Sequence, residues 1–173
     1  MRSSGPGAVG IRLARLSDLA AIVGIYNASI PSRLSTADLE PVTVESRTAW
    51  FVMHGAERRP IWVAEEDGDV LGWLSFSDYY GRPAYAATVE VGVYVDPLAQ
   101  GRGIGASLLE HAMAAAPSLG IWTLLWISFA GNEASVQLAE RYGFARWGLL
   151  PRVTELDGEL KDVAILGLEL PGR

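Results

Sequence analysis

The chain has 173 residues, a length that suits one domain and permits a sizeable buried core. Its net charge of −6 disfavours a nucleic-acid footprint, which needs a basic face, and no apolar run approaches the ~20 residues that span a bilayer. There is no cysteine, which removes disulfides, thiolate-bound metal and a cysteine nucleophile together.

The two histidines, His54 and His111, lack partners at metal-ligand spacing. Both read as helix-surface residues, and no metal site is expected. Residues 1–10 are rich in Gly, Ser and Pro and lack the apolar core of a secretory signal. They read as a disordered leader ahead of a single domain over 11–173, and a cytoplasmic protein is expected.

In chain order, residues 11–14 form a short strand candidate. Ser17 can cap a helix running to residue 27, with Leu19, Ile22, Val23 and Tyr26 at helical spacing. Residues 29–42 carry Pro31 and Pro41 and read as a loop or broken helix. Thr43 can cap a second helix to residue 54, with Trp50 and Met53 facing inward. Strands at 61–65 and 70–77 flank Asp67-Gly68, a strong hairpin signal. After a loop at 78–85, residues 88–95 alternate: Val89, Val91, Val93 and Val95 share one face, and Thr88, Glu90, Gly92 and Tyr94 the other. A helix is predicted over 103–116, a strand over 121–129, a helix over 133–142, and closing strands at 145–153 and 161–170 joined through Asp157-Gly158. Antiparallel hairpins around a strand–helix–strand–helix centre predict an α/β fold with a mixed sheet.

The turn Gln100-Gly101-Arg102-Gly103-Ile104-Gly105-Ala106 joins the valine strand to an amphipathic helix. Alternating glycines allow a ligand close to the backbone. The first N–H groups of the helix are unpaired and suit a pyrophosphate, with Arg102 as an added charge. A turn that uses glycine only for packing needs fewer of them. A dinucleotide fold fits G-x-G-x-x-A here but wants an acidic residue about 20 positions on, and none lies between His111 and Asn132. A P-loop is excluded, since no Gly-Lys-Ser/Thr follows.

Gln100-x-x-Gly103-x-Gly105 matches the Q/R-x-x-G-x-G/A signature, so the chain resembles the GNAT acyltransferase superfamily over roughly residues 11–170. Within it the chain is similar to the phosphinothricin/methionine-sulfoximine N-acetyltransferase group. That likeness is carried by Ile25-Tyr26-Asn27, Trp62-Val63-Ala64-Glu65, Arg82-Pro83-Ala84-Tyr85, Glu90 with Val93-Tyr94-Val95, Asn132-x-x-Ser135-Val136 and Lys161-Asp162-Val163.

The resemblance implies a GNAT fold, a mostly antiparallel mixed sheet flanked by helices. It implies acetyl transfer from acetyl-CoA to the primary amine of a small amino-acid-like substrate, and a homodimer. The alternatives are a CoA-binding regulatory module without turnover, and a protein or peptide N-acetyltransferase.

Glu90, the one carboxylate inside the central strand, falls where this group places its catalytic base; otherwise it is a solvated strand residue. The resemblance places Val93, Tyr94 and Val95 beside the thioester and pantetheine, with a bulge at Gly92 opening the sheet. Cofactor contacts are expected from Gln100, Gly101, Arg102, Gly103, Ile104, Gly105, Ala106, Asn132 and Ser135. Asn132 is equally good as a helix N-cap. Arg82 and Tyr85 are expected at the acidic end of the substrate, or in a surface turn. Tyr26, Trp73, Phe76, Tyr79 and Tyr80 can line an apolar wall, the core or an interface. Four residues before Gly143, where many members carry Tyr or His to protonate the thiolate, stands Ala139. Tyr142 points about 60° away from that position on a helix, and Ser135 is a lesser candidate.

Overall fold

Asp67-Gly68 (φ 53° and 94°) and Asp157-Gly158 (φ 52° and 83°) each put two successive residues at positive φ. That is the backbone of the tight hairpin turn matching strand twist, and Asp-Gly is a sequence that tolerates it. In the computed structural model, which describes residues 8–172, these turns organise most of the sheet.

The elements are β1 (Gly10–Leu13), α1 (Leu19–Ser29), α2 (Val44–Met53), β2 (Ile61–Glu66), β3 (Asp69–Asp78), β4 (Thr88–Val95), α3 (Ile104–Ala115), β5 (Thr123–Phe129), α4 (Glu133–Arg141), β6 (Ala145–Leu156) and β7 (Glu159–Glu169). Seven strands form one sheet in the order β1-β2-β3-β4-β5-β7-β6. Every neighbouring pair is antiparallel except β4 and β5, which run parallel with α3 as their crossover. The fold is therefore the mixed, mostly antiparallel sheet with flanking helices. Among the described residues no helix is long and apolar enough to cross a membrane.

Strand alternation divides the core between the two faces of the sheet. Trp62, Leu74, Phe76, Val89 and Val91 pack with Leu108, Leu109 and Ala112 of α3 and Val136 and Ala139 of α4. On the opposite face Ile61, Val63 and Trp73 pack with Ile22 and Ile25 of α1, and Trp50 and Phe51 of α2 lie against them. Trp73 carries its indole N–H into this face and donates it to the Ile22 carbonyl at 3.1 Å, which satisfies a buried donor.

Several local expectations shift. Of the ten residues read as a leader, 1–7 lie outside the described residues, and Gly10 already pairs with Glu65. Ser17 does not cap α1. The chain first makes a 3-10 turn over Leu16–Asp18, because the Asp18 carboxylate accepts the Arg15 N–H at 2.7 Å and binds the Arg12 guanidinium. Thr43 does cap α2, accepting from the Ser46 N–H. Met53 is 83% exposed rather than inward-facing. It closes the helix just before the chain turns away at His54, so no sheet lies beneath it. His54 is half-buried, with Nδ1 2.7 Å from the Trp50 carbonyl and its ring against that indole.

Candidate active site

After β4, Asp96 ends the strand and accepts the Leu98 N–H at 2.8 Å. Gly101 (φ 75°) and Gly103 (φ 79°) are left-handed, and Gly103 is the residue that opens α3. Its carbonyl takes the Ser107 N–H, so the N–H groups of Ile104, Gly105 and Ala106 have no partner inside the helix. They face an elongated cleft of about 550 Å³ that Gln100, Gly101, Gly103, Ile104, Gly105 and Ala106 line at one end. A diphosphate fits here on three grounds: free amides, the positive end of a helix, and no side chain in the way at Gly101, Gly103 and Gly105.

The cleft continues between β4 and β5. These strands pair only from Thr88–Thr123 to Glu90–Leu125, whereas β4 stays paired to β3 from Val89 to Val95 with unbroken register. The expected bulge at Gly92 is therefore absent. The sheet opens instead because β5 parts from β4 beyond Glu90, and Val91 to Val95 line one wall while Trp126, Ile127 and Ser128 line the other. Backbone groups on that edge of β4 lose their sheet partner and point into the cleft. Gly92 matters for space: a Cβ there would meet the Ser75 hydroxyl at 3.3 Å.

A second cavity of about 240 Å³ lies on the α1–α2 face, lined by aromatic and apolar side chains including Ile22, Trp50 and Trp73. Glu90, Gly92 and Tyr94 line both cavities, so the two meet across β4. Glu90 is half-buried, and no hydrogen bond to its carboxylate occurs among the described residues. Burial alone pushes its carboxyl up from the ordinary carboxylate value. Burial also drives the Tyr94 phenol well above its usual value. It therefore stays protonated, donating to the Ser35 carbonyl at 3.2 Å.

The remaining predicted residues divide. Asn132 caps α4 by accepting the Ser135 N–H at 3.2 Å, and its Nδ2 donates to the Leu34 carbonyl at 2.9 Å. Ser135 accepts the Trp126 indole N–H at 2.8 Å, which leaves its own hydroxyl proton free to point elsewhere. Both line the larger cleft. The Arg102 guanidinium does not: its Nη2 donates to both carboxylate oxygens of Glu66 at 2.8 and 2.9 Å, since the end of β2 offers a closer anion. Arg82 and Tyr85 line neither cavity. Arg82 starts a 3-10 turn, and Tyr85 packs against Tyr79 and Tyr80 on an exposed loop. Ala139 is fully buried on the inner face of α4, and Tyr142 donates its hydroxyl to Glu110, away from the cleft.

Residues that sequence reasoning passed over stand in the smaller cavity: Arg47, Ser75 and Ser77. The available signal for Arg47 was its place one turn before Trp50 on the same face of α2.

Comparison with known proteins agrees with this geometry. Residues 22–144 match the acetyltransferase (GNAT) family. A Bacillus subtilis (strain 168) protein, YwnH, provisionally named a phosphinothricin acetyltransferase, is 50% identical over 161 residues, covering 92% of this chain and 98% of that protein. The L-methionine sulfoximine/L-methionine sulfone acetyltransferase of Pseudomonas paraeruginosa (strain DSM 24068 / PA7) is 33% identical over 92% of this chain and 94% of its own. The crystal structure of a GNAT superfamily phosphinothricin acetyltransferase from Sinorhizobium meliloti in complex with acetyl-CoA superposes with a TM-score of 0.88 at 28% identity, covering 94% of this chain and 88% of that one. With the glycine turn, the opened sheet and these relatives together, the chain belongs to the GNAT acetyltransferase family.

Proposed function

We propose that this enzyme acetylates the primary amine of a small amino-acid-like substrate of the phosphinothricin or methionine sulfoximine type. The observation that carries the reading is the meeting of the two cavities at Glu90, Gly92 and Tyr94. The larger cleft suits the extended acetyl-CoA, with its diphosphate on the amides of residues 104–106. The smaller suits a compact amine rather than an extended peptide.

Glu90 is the general base. An ammonium cannot attack a thioester, and a carboxylate whose affinity for protons is raised by burial is better matched to removing that proton near neutral pH. The amine nitrogen then attacks the thioester carbonyl. The resulting oxyanion is met by the main-chain N–H groups between Val93 and Val95 that β5 leaves unpaired. As the carbon–sulfur bond breaks, the thiolate leaves and receives, through water, the second proton that the now cationic nitrogen sheds, because Ala139 carries no acid and Tyr142 faces Glu110. The substrate proton rests on Glu90 until it exchanges with solvent.

The test is release of free CoA thiol across methionine sulfoximine, phosphinothricin, polyamines and short peptides. Turnover of the first two is expected. Turnover of peptides alone would move the assignment to protein acetylation, and acetyl-CoA binding without turnover on any amine would leave a regulatory module.

We also infer a homodimer of single-domain chains. β6 is an edge strand, and Trp147, Leu149, Leu150 and Val153 on it are 43–55% exposed. An uncovered edge this apolar invites pairing unless something covers it. Light scattering should give twice 18.6 kDa, with one cooperative unfolding transition. A mass of one chain would contradict the dimer.

A further inference from the structure

Among the described residues, two charged side chains line the smaller cavity, and they have opposite sign: Glu90 on β4 and Arg47 on α2. Arg47 is not a loose surface cation. Its side chain is 29% exposed. Its guanidinium carbon lies 4.8 Å from the Tyr26 ring centroid and 5.9 Å from that of Trp50, so two aromatic faces hold it in place. Its Nη2 donates to Asp38 Oδ2 at 3.0 Å. The same Asp38 oxygen accepts the Tyr26 hydroxyl at 2.6 Å, which fixes Asp38 in turn.

That arrangement uses one nitrogen of a five-donor fork. Among the described residues, Nε and Nη1 of Arg47 have no acceptor. A guanidinium held by rings and one carboxylate, with donors to spare and facing a cavity, is built to take a second planar anion in bidentate fashion. The remaining walls are apolar and aromatic, with Ser75 and Ser77 the small polar exceptions. A zwitterion fits this pattern: its ammonium at Glu90, its carboxylate at Arg47, and a neutral side chain among the rings.

We infer that Arg47 binds the carboxylate of the amine substrate and so confines the enzyme to free amino acids. This rests on the amine-acetylation reading above and adds the residue and substrate group that set specificity. Asp38 and Tyr26 act through Arg47 as positioning residues. Arg82, the arginine favoured by sequence, plays no part in this cavity within one chain.

The experiment compares two probes, L-methionine sulfone and its carboxamide, on wild-type protein and on Arg47→Gln. Wild type should prefer the acid in kcat/KM by about 10- to 100-fold, the worth of a charge-assisted bidentate contact. R47Q should abolish that preference, mainly by raising KM for the acid, while acetyl-CoA affinity stays within a few-fold. A wild type that treats both probes alike, or an R47Q that weakens both equally, overturns the inference. Calorimetric binding of the same two probes in the presence of CoA reads the preference without turnover. Loss of chemistry and loss of carboxylate recognition are then separate results. If R47Q does not fold, the wild-type comparison still decides.

Discussion

Glu90→Gln is expected to lower kcat by about 10²- to 10⁴-fold, the usual contribution of a positioned general base. The amide keeps the shape of the carboxylate, so acetyl-CoA affinity should stay within a few-fold of wild type. The same substitution should remove the acid limb of the pH–rate profile. In wild type that limb reports deprotonation of Glu90, and burial places it above the ordinary carboxylate range: activity rises as pH increases through it and falls below it. The effect on folding runs the other way. A carboxyl whose folded value is raised contributes stability that is complete below its unfolded value and is lost as pH rises through the folded one. At neutral pH the buried charge is a cost, and replacing it with Gln should leave the fold at least as stable. A dead but fully folded E90Q, measured by steady-state kinetics beside a thermal melt, is the expected result. Equal turnover would remove Glu90 from the chemistry.

Gly103→Val carries the other large effect. Gly103 opens α3 at φ 79°, where an L side chain costs about 1–2 kcal/mol and a β-branched one more. Relief of that strain turns the Ile104, Gly105 and Ala106 amides away from their shared direction, and the side chain itself intrudes on the cleft. KM for acetyl-CoA should rise by about 100-fold or more, equivalent to losing one or two charge-assisted hydrogen bonds. Gly120→Val is the matched control. It imposes comparable backbone strain at φ 69° beyond the opposite end of α3, at a residue that lines neither cavity, so it should lower the melting temperature and leave KM for acetyl-CoA unchanged. If both variants alter KM alike, the cradle is not what Gly103 provides.

The sheet was legible because its signals are local. Two Asp-Gly pairs fixed two hairpins, the valine alternation fixed which face of β4 meets α3, and the glycine turn located the start of α3. The cradle was legible for the same reason, since free amides at a helix start depend on a few consecutive residues. What the sequence did not carry was set by distant partners. Arg102 reads as a phosphate ligand until Glu66, 36 residues away along the chain, captures it. Gly92 reads as a bulge, but the opening arises from where β5 stops pairing, which depends on the C-terminal strands that hold β5 on its other side. Arg47 looks like any charged helix residue. Its significance comes from Asp38, Tyr26 and Trp50 closing around it at the cavity wall, and no short pattern announces that convergence.

The proposed reaction requires that amine and thioester arrive from opposite faces of β4 and meet at Glu90, where the two cavities join. A bisubstrate analogue tests this directly: CoA sulfur joined through an acetyl methylene to the nitrogen of methionine sulfoximine. Linking two ligands that truly occupy adjoining sites typically gains about 10²- to 10⁴-fold. Titration calorimetry should show the analogue binding at least ~100-fold more tightly than CoA. Affinity no better than that of CoA would mean that the smaller cavity does not receive the amine.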